Sequence, residues 1–222
     1  LEAMKHHGVR RDVGIYTSLM QGCIPLKDPR EAIRVFVEMR KDGIAPDEWV
    51  FDSLMEVFVE SGELDGAFAL YDELKPNGLK PTNIIFTTLV KGCIRDDDLD
   101  RAWKVFEHMR VWHCEPDEVM MNLMIHACAR RSETERAFRL YQDMKTLGLR
   151  PTHVTFNTLL HACVRRRDYY EQAFDLLRTM KVEGYIPDHR TFDMLLAVAA
   201  KGGDVQTAEL LFDEASSSSA GA

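Results

Sequence analysis

The chain has 222 residues, 45% apolar and 29% charged, the proportions of a folded protein rather than a disordered one. Its formal net charge of −8 argues against a general polyanion binder, whose affinity comes from basic surface. No run of about 18 apolar residues occurs, so there is no candidate membrane span.

Read from its start, the chain opens on K-H-H-G-V-R-R-D (5–12), which resembles the end of a helix with a glycine stop. The same wording returns as K-D-G-I-A-P-D (41–47), P-N-G-L-K-P-T (76–82), V-W-H-C-E-P-D (111–117), T-L-G-L-R-P-T (146–152) and V-E-G-Y-I-P-D (182–188). Four of these end at 47, 82, 117 and 152, a spacing of 35, and the next ends one residue late. A fixed period of this size predicts a solenoid of stacked small units, not one central core. The units are 13–47, 48–82, 83–117, 118–152 and 153–188, within a single solenoid over 1–215. Residues 1–12 close an earlier unit, 189–215 form a shortened one, and 216–222 read as a flexible Ser/Ala/Gly tail. A chain that opens in the last turns of a helix is expected to be a piece of something longer, with any targeting segment upstream.

Within the unit at 83, Phe86, Leu89, Val90 and Cys93 follow the i, i+3, i+4, i+7 stripe of an amphipathic helix, here helix A. A short polar turn such as Arg95-Asp96-Asp97-Asp98 leads to helix B. Helix B carries an alanine at a fixed place (Ala32, Ala67, Ala102, Ala137, Ala173, Ala208), where a small residue lets two helices approach closely. Glycine then suits a left-handed helix end, and proline three residues on prevents continuation. His113 replaces the glycine once, and a local distortion is expected there. The Asp or Thr after the proline can cap the next helix A. The extra residue of the fifth unit falls in the turn Arg165–Tyr170, where an insertion is tolerated.

Cys23, Cys93, Cys128 and Cys163 share one repeat phase and no C-x-x-C occurs, so they read as small buried residues of a helix face. His126 and His161 also share a phase, but no third ligand stands at a fixed spacing, and no metal site is expected. Phosphate-cradling loops, dinucleotide glycine motifs and H-E-x-x-H are absent, so no enzyme and no cofactor are expected from these residues.

The segments V-T-F-N-T-L-L-H-A-C (154–163) and I-I-F-T-T-L-V-K-G-C (84–93), with A-I-R-V-F-V-E-M-R-K-D-G-I-A-P-D (32–47) and A-F-R-L-Y-Q-D-M-K-T-L-G-L-R-P-T (137–152), resemble the pentatricopeptide repeat family of 35-residue repeats. The resemblance covers nearly the whole chain. It implies an all-α fold, a right-handed α–α superhelix whose A helices line a concave face that binds single-stranded RNA, one base per repeat. The fifth residue of each unit would then meet the base edge, the last would assist it, and the second would pack on the base faces. Carried over, Thr17 with Asp47 and Thr87 with Asp117 resemble pairs that prefer G. Asp52 with Thr82 is unusual and names no base. Asn122 with Thr152 implies a pyrimidine, and Asn157 with Asp188 resembles the U-preferring pair. The implied tract is G-x-G-Y-U. Trp49, Ile84, Val119 and Val154 are the implied base-packing residues; Gly14 cannot clamp a base. The family further implies a mitochondrial or chloroplast protein acting in RNA processing, stability, splicing or translation.

Charge divides the units. Lys91 and Arg95, Arg130 and Arg131, and Arg165 and Arg166 recur on helix A and its following turn and are candidates for phosphate contact. Glu48, Asp52, Glu56 and Glu60 make the second unit's helix A acidic, which favours an alternative role. The solenoid would then be a structural subunit of an organellar ribosome or other large assembly, with protein partners.

Overall fold

The computed structural model describes residues 11–219, which divide between two compact units, Leu1–Pro116 and Asp117–Ala222. The expected end of an earlier repeat at 1–10, with Gly8, lies outside the described residues. Among the described residues all regular structure is helical. In the first unit three hairpins follow one another: α1 (Val13–Cys23) with α2 (Pro29–Lys41), α3 (Glu48–Ser61) with α4 (Leu64–Leu74), and α5 (Asn83–Arg95) with α6 (Leu99–Val111). The second unit repeats this with α7 (Glu118–Arg130) and α8 (Thr134–Thr146), α9 (His153–Val164) and α10 (Tyr170–Val182), and α11 (His189–Gly202) and α12 (Val205–Ser219). A single 3-10 turn, Arg167–Tyr169, absorbs the extra residue before α10.

Each A helix begins at the first residue expected for its repeat. Within the first unit α1 packs on α3 and α3 on α5, with α2 and α4 each covering the following A helix. Within the second, α7 packs on α9 and α9 on α11, with α8 and α10 in the covering role. The all-α solenoid architecture predicted from the period is therefore present in both units, each hairpin burying its stripes against the next.

The predicted stripe is the core. Phe86, Leu89, Val90 and Cys93 are fully buried, as are Phe156, Leu159 and Leu160 one unit on. Each such side chain contributes about 1.5–3 kcal/mol by leaving water. The fixed alanines Ala32, Ala67, Ala102, Ala137 and Ala173 are also fully buried, at the contact where B helices need a small residue. Burial pushes the thiols of Cys93, Cys128 and Cys163 up to about 12, which makes them inert packing groups.

The distortion expected at His113 does not occur. His113 takes the left-handed conformation itself, at φ 54°, where Gly43, Gly78, Gly148 and Gly184 take φ 72–85°. The closing bond is kept as well: Cys114 N–H donates to the Met109 carbonyl at 3.0 Å, as Leu149 N–H does to Met144. Histidine pays the Cβ penalty of this region instead of deforming the turn. The turn between helices A and B uses the same device, with Lys27, Gly62, Asp97 and Ser132 all at positive φ. Asp98 N–H then returns to Cys93 at 2.8 Å and Glu133 N–H to Cys128 at 2.9 Å. Every repeat in which both turns have this form thus stops two helices by one mechanism.

At the far end α12 continues to Ser219, past the boundary at 215, with the Ser216 hydroxyl donating to the Phe212 carbonyl at 2.9 Å. Phe212 occupies the place of the buried Phe106 and Tyr141 yet is 63% exposed, because no following hairpin covers it among the described residues.

Candidate nucleic-acid interface

The last residue of each repeat is a helix cap. Asp12, Asp47, Asp117 and Asp188 each accept a backbone N–H of the following A helix on one carboxylate oxygen, at 2.8–3.0 Å. Thr82 and Thr152 do so through their hydroxyls, at 3.2 and 3.4 Å. Such a cap is worth about 1 kcal/mol, so these residues are needed for the fold whatever else they do. One carboxylate oxygen satisfies the cap, and the second is left to point elsewhere.

Among the fifth residues, Thr17, Thr87, Asn122 and Asn157 are half-buried and Asp52 is buried; none is freely exposed. Thr17 turns back to the Val13 carbonyl at 3.0 Å. Asp52 accepts from the Thr82 hydroxyl at 3.2 Å, so this predicted pair does meet. Asp52 is only 8% exposed. Burial pushes its carboxyl up to about 6; the Thr82 hydroxyl opposes this, while Glu48, Glu56 and Asp47 add to it. In the second unit Asn122 accepts from the Thr155 hydroxyl at 2.5 Å, and Asn157 from the Thr191 hydroxyl at 2.9 Å. Both threonines are buried, and each also touches a cap residue, Thr152 or Asp188. Asn122 with Thr152, and Asn157 with Asp188, are therefore joined through a shared hydroxyl. Thr87 belongs to the first unit and Asp117 to the second.

The second residues face solvent. Trp49 is 62% exposed and Ile84 49%, and in the second unit Val119 is 53% and Val154 66% exposed. Four successive A helices thus each leave one large apolar side chain at the surface at the same place of the repeat. Helical geometry aligns the second, fifth, ninth and thirteenth residues of helix A on one face. This row reads Trp49, Asp52, Glu56, Glu60 on α3 and Ile84, Thr87, Lys91, Arg95 on α5. On α7 it reads Val119, Asn122, His126, Arg130, and on α9 Val154, Asn157, His161, with Arg165 at the C-cap.

In the second unit this row opens into a groove of about 660 Å³, lined among others by His126, Arg130, Val154, Asn157, His161 and Arg190. Burial, then Arg130 and His161, hold the His126 imidazole below its ordinary pKa. Asp188 closes one side. Burial opposes its ionisation, but the Thr191 amide and hydroxyl and the nearby His153 and His189 outweigh that and keep it below the usual carboxylate range.

The predicted phosphate-contacting side chains divide by place. Lys91, Arg95, Arg130 and Arg165 belong to the row, whereas Arg131 and Arg166 stand one residue past it. Arg95 lies 3.5 Å from Asp96. Arg165 bridges to the Arg130 carbonyl and the Ser132 hydroxyl at 3.4 and 3.5 Å. Arg166 grips Asp168 with two nitrogens, at 2.8 and 2.5 Å, which draws it away from the row. His126 and His161 share the ninth place of their repeats, which sets them on this face as well as in one phase. His153, Thr155 and Thr191 carry no sequence signal, because their roles depend on contacts across repeats. Among the described residues no three His, Cys, Asp or Glu side chains gather to hold a metal. No helix among them is long and apolar enough to cross a membrane.

The family model described as "PPR repeat family" matches residues 81–119, 116–165 and 151–201; "Pentatricopeptide repeat domain" matches 1–61 and "PPR repeat" 49–79. The chain belongs to the pentatricopeptide repeat family. Among solved structures it resembles the pentatricopeptide repeat protein PPR10 in complex with an 18-nucleotide psaJ RNA element. That match has a TM-score of 0.79 and 22% identity, covering 98% of this chain and 32% of that one. PPR10 from maize matches at TM-score 0.63 and 22% identity, over 96% and 35% of the two chains. The repeat domain of Arabidopsis thaliana protein-only RNase P 1, in complex with tRNA, matches at 0.71 and 16% identity, over 82% and 96%. At these identities the likeness speaks to the fold. The pentatricopeptide repeat chain described here spans about a third of the length of the PPR10 structures. No curated protein matches it.

Proposed function

We propose that this pentatricopeptide repeat protein binds single-stranded RNA along its A helices, one base per repeat. The observation that carries this reading is the exposed apolar second residue, Trp49 and Ile84 in one unit and Val119 and Val154 in the other, three residues before a polar side chain that is not freely exposed. An apolar or aromatic contact supports any base face, and a polar group one turn on can read its edge. Thr17, Asp52, Thr87, Asn122 and Asn157 are the proposed readers, assisted by Asp47, Thr82, Asp117, Thr152 and Asp188. Lys91, Arg95, Arg130 and Arg165, with His126 and His161, are the proposed phosphate side. The preferred tract is G-x-G-Y-U. The protein acts by occupying RNA, not by chemistry of its own, and so influences processing, stability, splicing or translation. Mitochondrion or chloroplast is proposed as the compartment on family grounds alone.

The test is selection from a random single-stranded RNA pool at about 0.15 M salt, followed by sequencing of what is retained. Enrichment of a G-x-G-Y-U-like tract supports the reading. The acidic row Asp52, Glu56 and Glu60 favours the second reading, a scaffold within a ribosome or other assembly. Weak binding without base preference that disappears as salt rises would favour that reading.

A further inference from the structure

The groove of the second unit contains one chain of hydrogen bonds whose polarity can be read from end to end. It starts at a carbonyl. His153 Nε2 lies 3.1 Å from the Ile186 carbonyl oxygen, which can only accept. Nε2 therefore carries the proton, and Nδ1 of the neutral ring is an acceptor. Asn157 stands one turn along α9, with its amide 3.1 Å from that Nδ1. The amide end facing an acceptor must be the NH2 group. Its carbonyl end is then left to the Thr191 hydroxyl at 2.9 Å, while the Thr191 backbone N–H goes to Asp188 Oδ1 at 2.8 Å. Asn122 shows no such contact: Glu118, at the place equivalent to His153, accepts the Arg150 backbone N–H at 3.3 Å.

We infer that His153 is a positioning residue for Asn157, and that it sets which of the two pyrimidines the fifth repeat accepts. The inference rests on the RNA reading above. Uracil presents an N–H donor at N3 beside an acceptor at O4; cytosine presents an acceptor at N3 beside an N–H donor at N4. An amide matches one or the other according to which end holds its oxygen. With its ends held by His153 and Thr191, Asn157 offers one order only, and the discrimination of such a paired contact is about tenfold or more.

The same network has a second, equally satisfied arrangement. A proton on Nδ1 turns His153 into a donor at both nitrogens, and the amide must rotate to offer its oxygen. The NH2 group then donates to the Thr191 oxygen, and the Thr191 hydroxyl turns to donate its hydrogen bond to Asp188 Oδ1, already 2.8 Å away. The order of donor and acceptor on the groove side is reversed. The charged groups around the ring are mixed: Asp188, 4.0 Å from Nδ1, with His189, Arg190 and Asp193 from α11, His126 and Arg130 from α7, and His161 on α9 itself.

The experiment compares RNAs that differ only in U or C at the nucleotide facing Asn157, measured near pH 7.5 and near pH 5.5. The expected result is about tenfold discrimination at the higher pH, falling to parity or reversing at the lower. The nucleotide facing Asn122 should show no such change. His153→Leu should remove the discrimination at both pH values. His153→Glu puts a carboxylate acceptor one turn before Asn157, and should keep the higher-pH preference at the lower pH. The same discrimination in wild type and His153→Leu at both pH values overturns the inference, as does an equal pH response at the Asn122 nucleotide. In the free protein, ¹⁵N shifts of the imidazole report the tautomer without RNA: a protonated Nδ1 at the higher pH also overturns it. Failure to retain any RNA defeats the RNA reading and with it the specificity role, while the imidazole shifts still report the hydrogen-bond chain by itself.

Discussion

Asp52 offers a direct test of how the repeat tolerates an acidic reader. Its carboxyl is buried on α3 beside Glu48, Glu56 and Asp47, and is pushed from the ordinary 3.8 to about 6. The native state therefore holds the proton more tightly than the unfolded chain does. The penalty is present in full above the folded value and disappears as pH falls through about 6 towards 3.8. At about 1.4 kcal/mol per pH unit the displacement corresponds to at most about 3 kcal/mol. Partial contact with solvent lowers the expected figure to about 1–2 kcal/mol. Asp52→Asn keeps an oxygen for the Thr82 hydroxyl, removes the charge and places in this repeat the residue that Asn122 and Asn157 supply in others. Urea unfolding near pH 7.5 should show the variant more stable by about 1–2 kcal/mol, and near pH 4 the gain should be gone. A variant less stable than wild type at the higher pH, or a gain that does not change with pH, would refute the electrostatic account. On the RNA reading the same substitution strengthens binding, because a negative charge leaves the row.

His113→Gly removes the left-handed strain of the α6 turn at the cost of a freer unfolded chain, and thermal unfolding should show a net gain of about 0.5–1 kcal/mol; a loss would mean that the imidazole makes a contact worth more than the strain. Ala102→Leu inserts bulk at a fully buried helix contact and should cost about 1–3 kcal/mol in the same assay, whereas a neutral result would mean that the hairpins can move apart freely. His126 is held below its ordinary pKa by burial, Arg130 and His161, so acidification costs the fold stability while adding positive charge to the groove. RNA affinity at fixed salt should rise between about pH 7.5 and 5.5, and His126→Ala should blunt the rise; equal pH profiles would exclude His126 from the phosphate side. Asn157→Thr should move the base preference of the fifth repeat from U towards G in an RNA selection, and an unchanged preference would sink that assignment.

The solenoid was legible because its determinants are local and repeated. The stripe Phe86, Leu89, Val90 and Cys93, the alanine contact and the Gly-x-x-Pro stop each act within one turn of helix, and a period of 35 states them again in every unit. His113 shows the limit of arguing from residue type. The backbone conformation is imposed by the geometry of the stop, and a histidine that can reach φ 54° submits to it. The A–B turns carry the same lesson, since Lys27, Asp97 and Ser132 give no warning of a left-handed residue.

The proposed interface was legible in the residues that the resemblance names but not in their state. The resemblance pointed to Asn157 and Asp188, both of which line the groove of the second unit, and to Val154, which is 66% exposed. What a base would meet at Asn157 depends on which end of the amide carries oxygen. That is set by Thr191, 34 residues further on, and by a histidine whose tautomer is set by the Ile186 carbonyl. A reading by fifth and last residues treats Asn122 and Asn157 as equivalent letters with different partners. The hydrogen bonds make them different in kind, because the first amide has a carboxylate residue one turn before it and the second a titratable imidazole. On the proposed RNA reading, specificity in such a repeat belongs to the network that orients the reader, and the first and third residues are part of it.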